Sequence, residues 1–396
     1  MTDGDKATVR LALDVSAVPA RPVGAGQYTL ALARTLAQRS DVTLTLVCRH
    51  GDDGRWEIVA PRAHVVAAAP QHRPTRLAWE QTGLPLLLRR QPVDVHHAPH
   101  YTMPELARLP RVVTIHDLTF FDHPEWHERA KVPVFRRAIK VAAHHAAALI
   151  CVSEHTARRL RECVPVHVPV HVVPHGVDHD RFRPAPPGEA ADAADAAVLA
   201  AYGVRGPFVA FVGTLEPRKS VDRLVQAFDR MAGAHPDLRL VLAGTPGWGV
   251  EAVEAAITAA RHGDRVVRTG YIPDSAVPAL LRRAAAVAYT SSEEGFGLPA
   301  LEALACEAPL VTTKGSVMEE VVGDAALLVA SGDTEALAGA LDMMVRGDSQ
   351  LAGRRAKGRA LAARYTWEAS AQAHVDVYRA VLPTGAAWSR HGTRPT

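Results

Sequence analysis

The chain has 396 residues, 48 % of them hydrophobic and 22 % charged, with a formal net charge of +3. That length exceeds one ordinary α/β domain and implies two. The composition is that of a globular protein with ample core, and the near-neutral balance gives no electrostatic case for a nucleic-acid partner, although a mildly basic face can still meet phosphates or an anionic membrane.

β-branched runs alternate with Ala/Leu/Arg-rich stretches along almost the whole chain, the signature of βαβ units and parallel sheets. In chain order, strands are predicted at 9–15, 42–48, 93–96, 112–116, 149–152 and 168–173, with helices at 27–38 and 153–163. A Pro/Gly-rich stretch at 183–188 and an alanine-rich run at 190–201 then mark a boundary, the alanines reading as linker or as helix. A second series follows, with strands at 208–212, 238–243, 266–268, 286–289, 310–312 and 326–329. Its helices are predicted at 221–231, 250–261, 298–306 and 334–345. Residues from Pro383 onward read as a flexible tail, 383–396. Two α/β domains result, 1–178 and 206–365, joined by a linker at 179–205.

The cysteines, Cys48, Cys151, Cys163 and Cys306, are widely spaced and form no CxxC pair. They argue against a zinc site or a disulfide framework and suit a reducing compartment. The N-terminus lacks a signal-peptide pattern, and no apolar run reaches the roughly 20 residues that span a bilayer. A cytoplasmic protein is expected, with peripheral membrane contact left open.

Four strings carry candidate chemistry. In Gly24-Ala25-Gly26-Gln27-Tyr28, Gly24 and Gly26 let backbone N–H groups approach a phosphate at a helix N-terminus. A dinucleotide fingerprint would need glycine at 29, where Thr29 stands, so an ordinary strand-to-helix turn is an equal reading. His116 ends a strand in Val113-Thr114-Ile115-His116-Asp117 and points into the crevice where parallel sheets bind ligands, unless it is structural. In Gly213-Thr214-Leu215-Glu216-Pro217-Arg218-Lys219-Ser220, Arg218 and Lys219 sit where a helix starts, a planar fork and a point charge suited to phosphate oxygens. Arg218 occupies the second glycine of a P-loop pattern, which discounts a nucleoside-triphosphatase; a solvated cationic helix start is the alternative.

The fourth string is Ser291-Ser292-Glu293-Glu294-Gly295-Phe296-Gly297-Leu298-Pro299-Ala300-Leu301-Glu302. Pro299 suits the first turn of a helix, and the glycines let the chain turn tightly and expose the amides of Gly297 and Leu298. Glu302 near the helix start can accept both hydroxyls of a ribose, and Glu294 those of a transferred sugar. Packing alone, a capping carboxylate and a salt bridge, explains little of so long a string. Asp178-His179-Asp180 is a DxD triplet but lies in the linker. His96, His97 and His100, like His144-His145, lack a completing ligand, so no metal is expected.

Together, residues 212–220 and 292–302 resemble family 4 glycosyltransferases, whose fold is GT-B: two Rossmann-like domains with parallel sheets facing a central cleft. The family's Glu-x7-Glu pattern is met by Glu294 and Glu302, and the likeness covers most of the chain. It implies that Arg218 and Lys219 neutralise a nucleotide-sugar diphosphate, with Gly213, Thr214, Gly297 and Leu298 around the donor. Glu302 would hold the ribose, Glu294 the sugar ring, His116 the sugar near its C6 oxygen, and Tyr271 and Ile272 the base. Residues 320–324 resemble the segment closing the donor pocket, and the last helix, 366–382, would cross back to the first domain. The family retains anomeric configuration and usually needs no metal or other cofactor. The string 213–219 and the Gly244–Gly249 stretch resemble the mannosyltransferase branch, which favours GDP-mannose, then UDP-sugars; the acceptor is a glycan, glycolipid or small molecule. A GT-B nucleotide-sugar epimerase and a non-catalytic binding protein remain as rivals. Ser220 stands where the family often has Asn, and Glu307 where it often has Gly, at a cost of roughly 1 kcal/mol if the backbone there is left-handed.

Overall fold

The computed structural model describes residues 8–186, 188–347 and 349–383. The first lobe holds β1 (Val9–Asp14), β2 (Val42–Arg49), β3 (His64–Ala69), β4 (Val95–Ala98), β5 (Arg111–Ile115), β6 (Ala148–Cys151) and β7 (Val170–Val172). They form one parallel sheet in the order β3-β2-β1-β4-β5-β6-β7. The second lobe holds β8 (Phe208–Val212), β9 (Arg239–Ala243), β10 (Val266–Gly270), β11 (Ala286–Tyr289), β12 (Leu310–Lys314) and β13 (Leu327–Ala330), parallel in the order β10-β9-β8-β11-β12-β13.

Central strands are apolar throughout, as in Leu11-Ala12-Leu13 and Val209-Ala210-Phe211, because helices cover both faces of a parallel sheet. Each sheet reverses its strand order once, between β1 and β4 and between β8 and β11. The loops leaving those strands part to opposite faces and open a crevice. All four candidate strings leave strands at or beside these two crevices: β1, β5, β8 and β11.

Several elements were not predicted. β3 is an edge strand whose His-Val-Val-Ala-Ala-Ala sequence has little β-specific patterning. The helix Arg73–Arg90 contains prolines at 74 and 85, and the helix Lys131–His145 begins without a capping side chain. The segment expected as a linker at 179–205 is not free. Its alanines form the helix Glu189–Ala200, in which Leu199 is buried in the second lobe's core and Asp195 pairs with Arg282 at 2.7 and 2.5 Å.

The final helix, Trp367–Val381, packs on the first lobe. Ala371, Val375 and Tyr378 are fully buried in that lobe's core. Tyr28 hydroxyl lies 2.8 Å from His374 Nε2, and Tyr378 hydroxyl 2.7 Å from His97 Nδ1, so the crossing is fixed by polar bonds as well as burial. Of the expected tail, 384–396 lies outside the described residues. Among those described, no helix is long and apolar enough to cross a membrane.

Candidate active site

Beyond β8, the short 3-10 turn Pro217–Lys219 ends in Ser220 with φ 49°, a left-handed residue that caps the helix Val221–Ala232. Asn adopts this conformation more readily than Ser. The turn throws Arg218 and Lys219 toward the loop that follows β11. There Glu294 Oε1 accepts from Arg218 Nη1 at 2.7 Å and from Lys219 Nζ. Arg218 Nε also pairs with Glu216 at 2.6 Å, and Lys219 donates to the Tyr289 hydroxyl at 3.1 Å.

Burial alone would raise the Glu294 carboxyl, but Arg218 and Lys219 overcome it and hold it at about 2. Burial lowers Lys219, an effect that Glu294 partly offsets. Glu294 is therefore an anion at neutral pH, tethered to two cations.

Gly297, at φ 91°, opens the helix Leu298–Ala305, and a Cβ on it would lie 2.0 Å from Met318 Cε. Only glycine serves there, and it leaves the first amides of that helix without side-chain caps. Glu302, one turn along, does not join the Glu294 cluster. It lines a cavity of ≈ 520 Å³ with Gln27, Asp178, Arg181, Asp274 and Leu298. Arg181 lies 3.9 Å from Glu302 and 3.8 Å from Asp274, and Gln27 reaches across to Asp274 at 2.8 Å. Burial raises the Glu302 carboxyl to about 7, against the pull of Arg181.

His116 is buried at the end of β5, edge-on to Tyr28 at 5.1 Å. Its Nε2 lies 2.8 Å from Pro99 O. A carbonyl only accepts, so Nε2 carries the proton and Nδ1 is left as an acceptor. Burial lowers its basicity, which keeps the ring neutral at physiological pH. The Gly24 loop opens the helix Ala25–Ala37, with Gly24 at φ 49°, and its Gln27 is the residue that reaches the second lobe. Gly213, at φ 148°, lies against Gly244, and Thr214 follows it into the loop. Tyr271 is exposed beside Arg21, whereas the Ile272 side chain is in the second lobe's core, which leaves only its backbone for a ligand.

Residues 203–360 match the profile of glycosyl transferases group 1, and residues 22–181 that of glycosyltransferase family 4. The chain belongs to the family 4 glycosyltransferases. This family 4 chain is 28 % identical over 309 residues to the O-antigen chain mannosyltransferase B of Escherichia coli, covering 77 % of each chain. It is 29 % identical over 395 residues to a D-inositol 3-phosphate glycosyltransferase of Acidothermus cellulolyticus, covering 91 % of this chain and 86 % of that one. In fold it is similar to HepE from Anabaena, solved with UDP and glucose, at a TM-score of 0.76 and 20 % identity, over 94 % of this chain and 100 % of that one. The two parallel α/β lobes are the GT-B fold, and the activity is glycosyl transfer.

Sequence reasoning missed Tyr289, Arg181 and Asp274 in this glycosyltransferase. Tyr289 reads as an ordinary strand residue. Arg181 and Asp274 directly follow the DxD triplet and the Tyr271 loop, yet they are far from Glu302 in sequence and only the folded chain places them in one cavity with it. The triplet itself turns inward: Asp178 Oδ1 accepts from Arg181 N at 3.2 Å, and His179 Nε2 lies 3.1 Å from Tyr365 O. Among the described residues, no group of three or more His, Cys, Asp or Glu is arranged to hold a metal ion.

Proposed function

We propose that this glycosyltransferase moves mannose from GDP-mannose to a hydroxyl of a glycan, glycolipid or small-molecule acceptor, with retention of configuration and without a metal ion. The observation that carries the reading is the convergence of Arg218 and Lys219 on Glu294, beside the uncapped amides of the helix Leu298–Ala305. A donor diphosphate entering there meets two cations and a helix N-terminus. The two cations then divide between the Glu294 carboxylate and the phosphate oxygens.

As the glycosidic bond to the phosphate breaks, its electron pair passes to the leaving phosphate oxygen, and negative charge grows where Arg218 and Lys219 stand. Their stabilisation is therefore greatest in the transition state. The acceptor hydroxyl attacks the same face of the sugar and its proton goes to the departing phosphate. Glu294 would hold the sugar hydroxyls, His116 Nδ1 would accept from a hydroxyl near C6, and Glu302 would hold the ribose. Gly213, Thr214 and Tyr271 would line the nucleotide, with Ile272 contributing its backbone.

Mannose is favoured by the mannosyltransferase B relative and by the motif likeness of 213–219. A UDP-sugar is the second reading, favoured by the UDP in the Anabaena structure. A cytoplasmic site of action, with peripheral contact to an anionic membrane, belongs to the same proposal. It is supported by Arg129, Arg136, Arg137 and Lys140, which line an open cavity of ≈ 690 Å³ on the first lobe with Glu125, Arg137 being paired with Glu105. A panel of GDP- and UDP-linked hexoses, with products read by mass spectrometry, tests the donor. Transfer from GDP-mannose is expected. Turnover of UDP-sugars alone would overturn the mannose assignment, and hydrolysis or epimerisation without transfer would overturn the reaction as written.

A further inference from the structure

The helix Glu154–Cys163 of the first lobe begins at the seam between the lobes, and part of its cap comes from the other lobe. Its own Ser153 accepts from Thr156 N at 3.0 Å. The two preceding amides, Glu154 N and His155 N, donate to Glu320 Oε1 and Oε2, each at 2.9 Å. Glu320 belongs to the helix Met318–Val322, beyond β12 in the second lobe. A carboxylate bonded to two first-turn amides also sits in the favourable field of the helix N-terminus.

Three further bonds cross at the same place. His155 Nε2 lies 2.8 Å from Glu293 Oε1, Ser153 Oγ donates to Gly295 O at 2.8 Å, and Thr156 Oγ1 lies 3.2 Å from Gly295 O; within the first lobe the same hydroxyl lies 3.2 Å from His116 O. The segment held from both sides is Glu293-Glu294-Gly295. Gly295 lies so close to the first lobe that a Cβ on it would be 1.7 Å from the His116 carbonyl oxygen. The carboxylate of Glu294 and the ring of His116 come from different lobes, and this seam sets the spacing between them.

We infer that Glu320, with the Glu293–His155 pair, is a positioning device for glycosyl transfer: it caps a helix of the opposite lobe and so registers Glu294 against His116. Glu320 itself makes no contact in either the Glu294 cluster or the Glu302 cavity. The inference rests on the glycosyl-transfer activity and not on which donor is used.

The test compares Glu320→Ala, Glu320→Gln and the neighbouring exposed Glu319→Gln in the full chain. Calorimetry with GDP and with UDP reads nucleotide affinity, and small-angle X-ray scattering of the free protein reads lobe separation. Turnover uses whichever donor the hexose panel identifies. In Glu320→Ala, kcat should fall about tenfold, the loss expected when about one charged hydrogen bond's worth of closure is removed. The affinity for the tighter-binding nucleotide should change less than about twofold, because the residues expected to grip it lie in the second lobe. The radius of gyration should rise.

Glu320→Gln keeps one accepting oxygen and should recover part of the loss, while Glu319→Gln should match the parent. An unchanged kcat and scattering curve in Glu320→Ala would overturn the inference. So would a fall in kcat matched by equal losses of nucleotide affinity and thermal stability, which would mark a merely structural residue. If no donor on the panel turns over, the donor proposal fails while the scattering comparison still decides this one.

Discussion

Replacing Glu294 with glutamine keeps the shape and deletes the charge that two cations share. A free glutamate titrates near 4.5 and folded Glu294 at about 2. Holding the carboxyl that far down corresponds to about 3 kcal/mol of folding free energy. Breaking a buried ion pair by removing one partner independently costs roughly 3–5 kcal/mol. The lower end applies, because the Arg218 side chain is 30 % exposed and partly screened by water.

The sign follows from the depressed pKa. The contribution is complete above about pH 4.5 and drains away as the solution is acidified toward 2. Urea unfolding of the parent and Glu294→Gln should therefore differ by about 3 kcal/mol at pH 7 and converge as the pH falls through that window. Turnover, measured where both remain folded, should drop on the order of 10²–10³-fold, as for loss of a preorganised polar group at a reacting centre. Equal stability at pH 7, or turnover above a tenth of the parent's, would refute the reasoning.

Two other substitutions probe the backbone. Gly295→Ala inserts a Cβ 1.7 Å from the His116 carbonyl oxygen, which no rotamer can relieve, so the lobes must separate. Turnover should fall by about a hundredfold or more, with an enlarged radius of gyration and each lobe still folded by circular dichroism. Glu307 has φ 57°, so the left-handed backbone that would make glycine preferable is present. Glu307→Gly should stabilise the protein by about 0.5–1 kcal/mol after loss of the exposed pair with Arg359, read as a small rise in melting temperature.

Much of this protein was legible in its sequence. Alternating apolar runs and helical stretches are local patterns, and they suffice for two parallel α/β lobes, since a strand buried on both faces must be apolar along its length. The Arg218-Lys219 turn, the glycines at 295 and 297 and the spacing of Glu294 from Glu302 are local too. What the chain order could not decide is which side chains meet. Glu294 and Arg218 are 76 residues apart, Gln27 and Asp274 are 247 apart, and Glu320 reaches the first lobe only because the lobes close.

The same cause decided the partners of the two carboxylates: Glu294, just before the helix, meets Arg218 and Lys219, and Glu302, within it, lies near Arg181. The helix made of 189–200 likewise joined the second lobe because Leu199 and Asp195 found partners there, which its composition, open to linker or helix, does not specify. Backbone propensity acts over a few residues, whereas burial and charge pairing depend on surfaces that only the folded chain brings together. The tertiary structure therefore decided the ionisation of Glu294 and Glu302, the partners of Arg218 and Lys219, and the seam at Glu320.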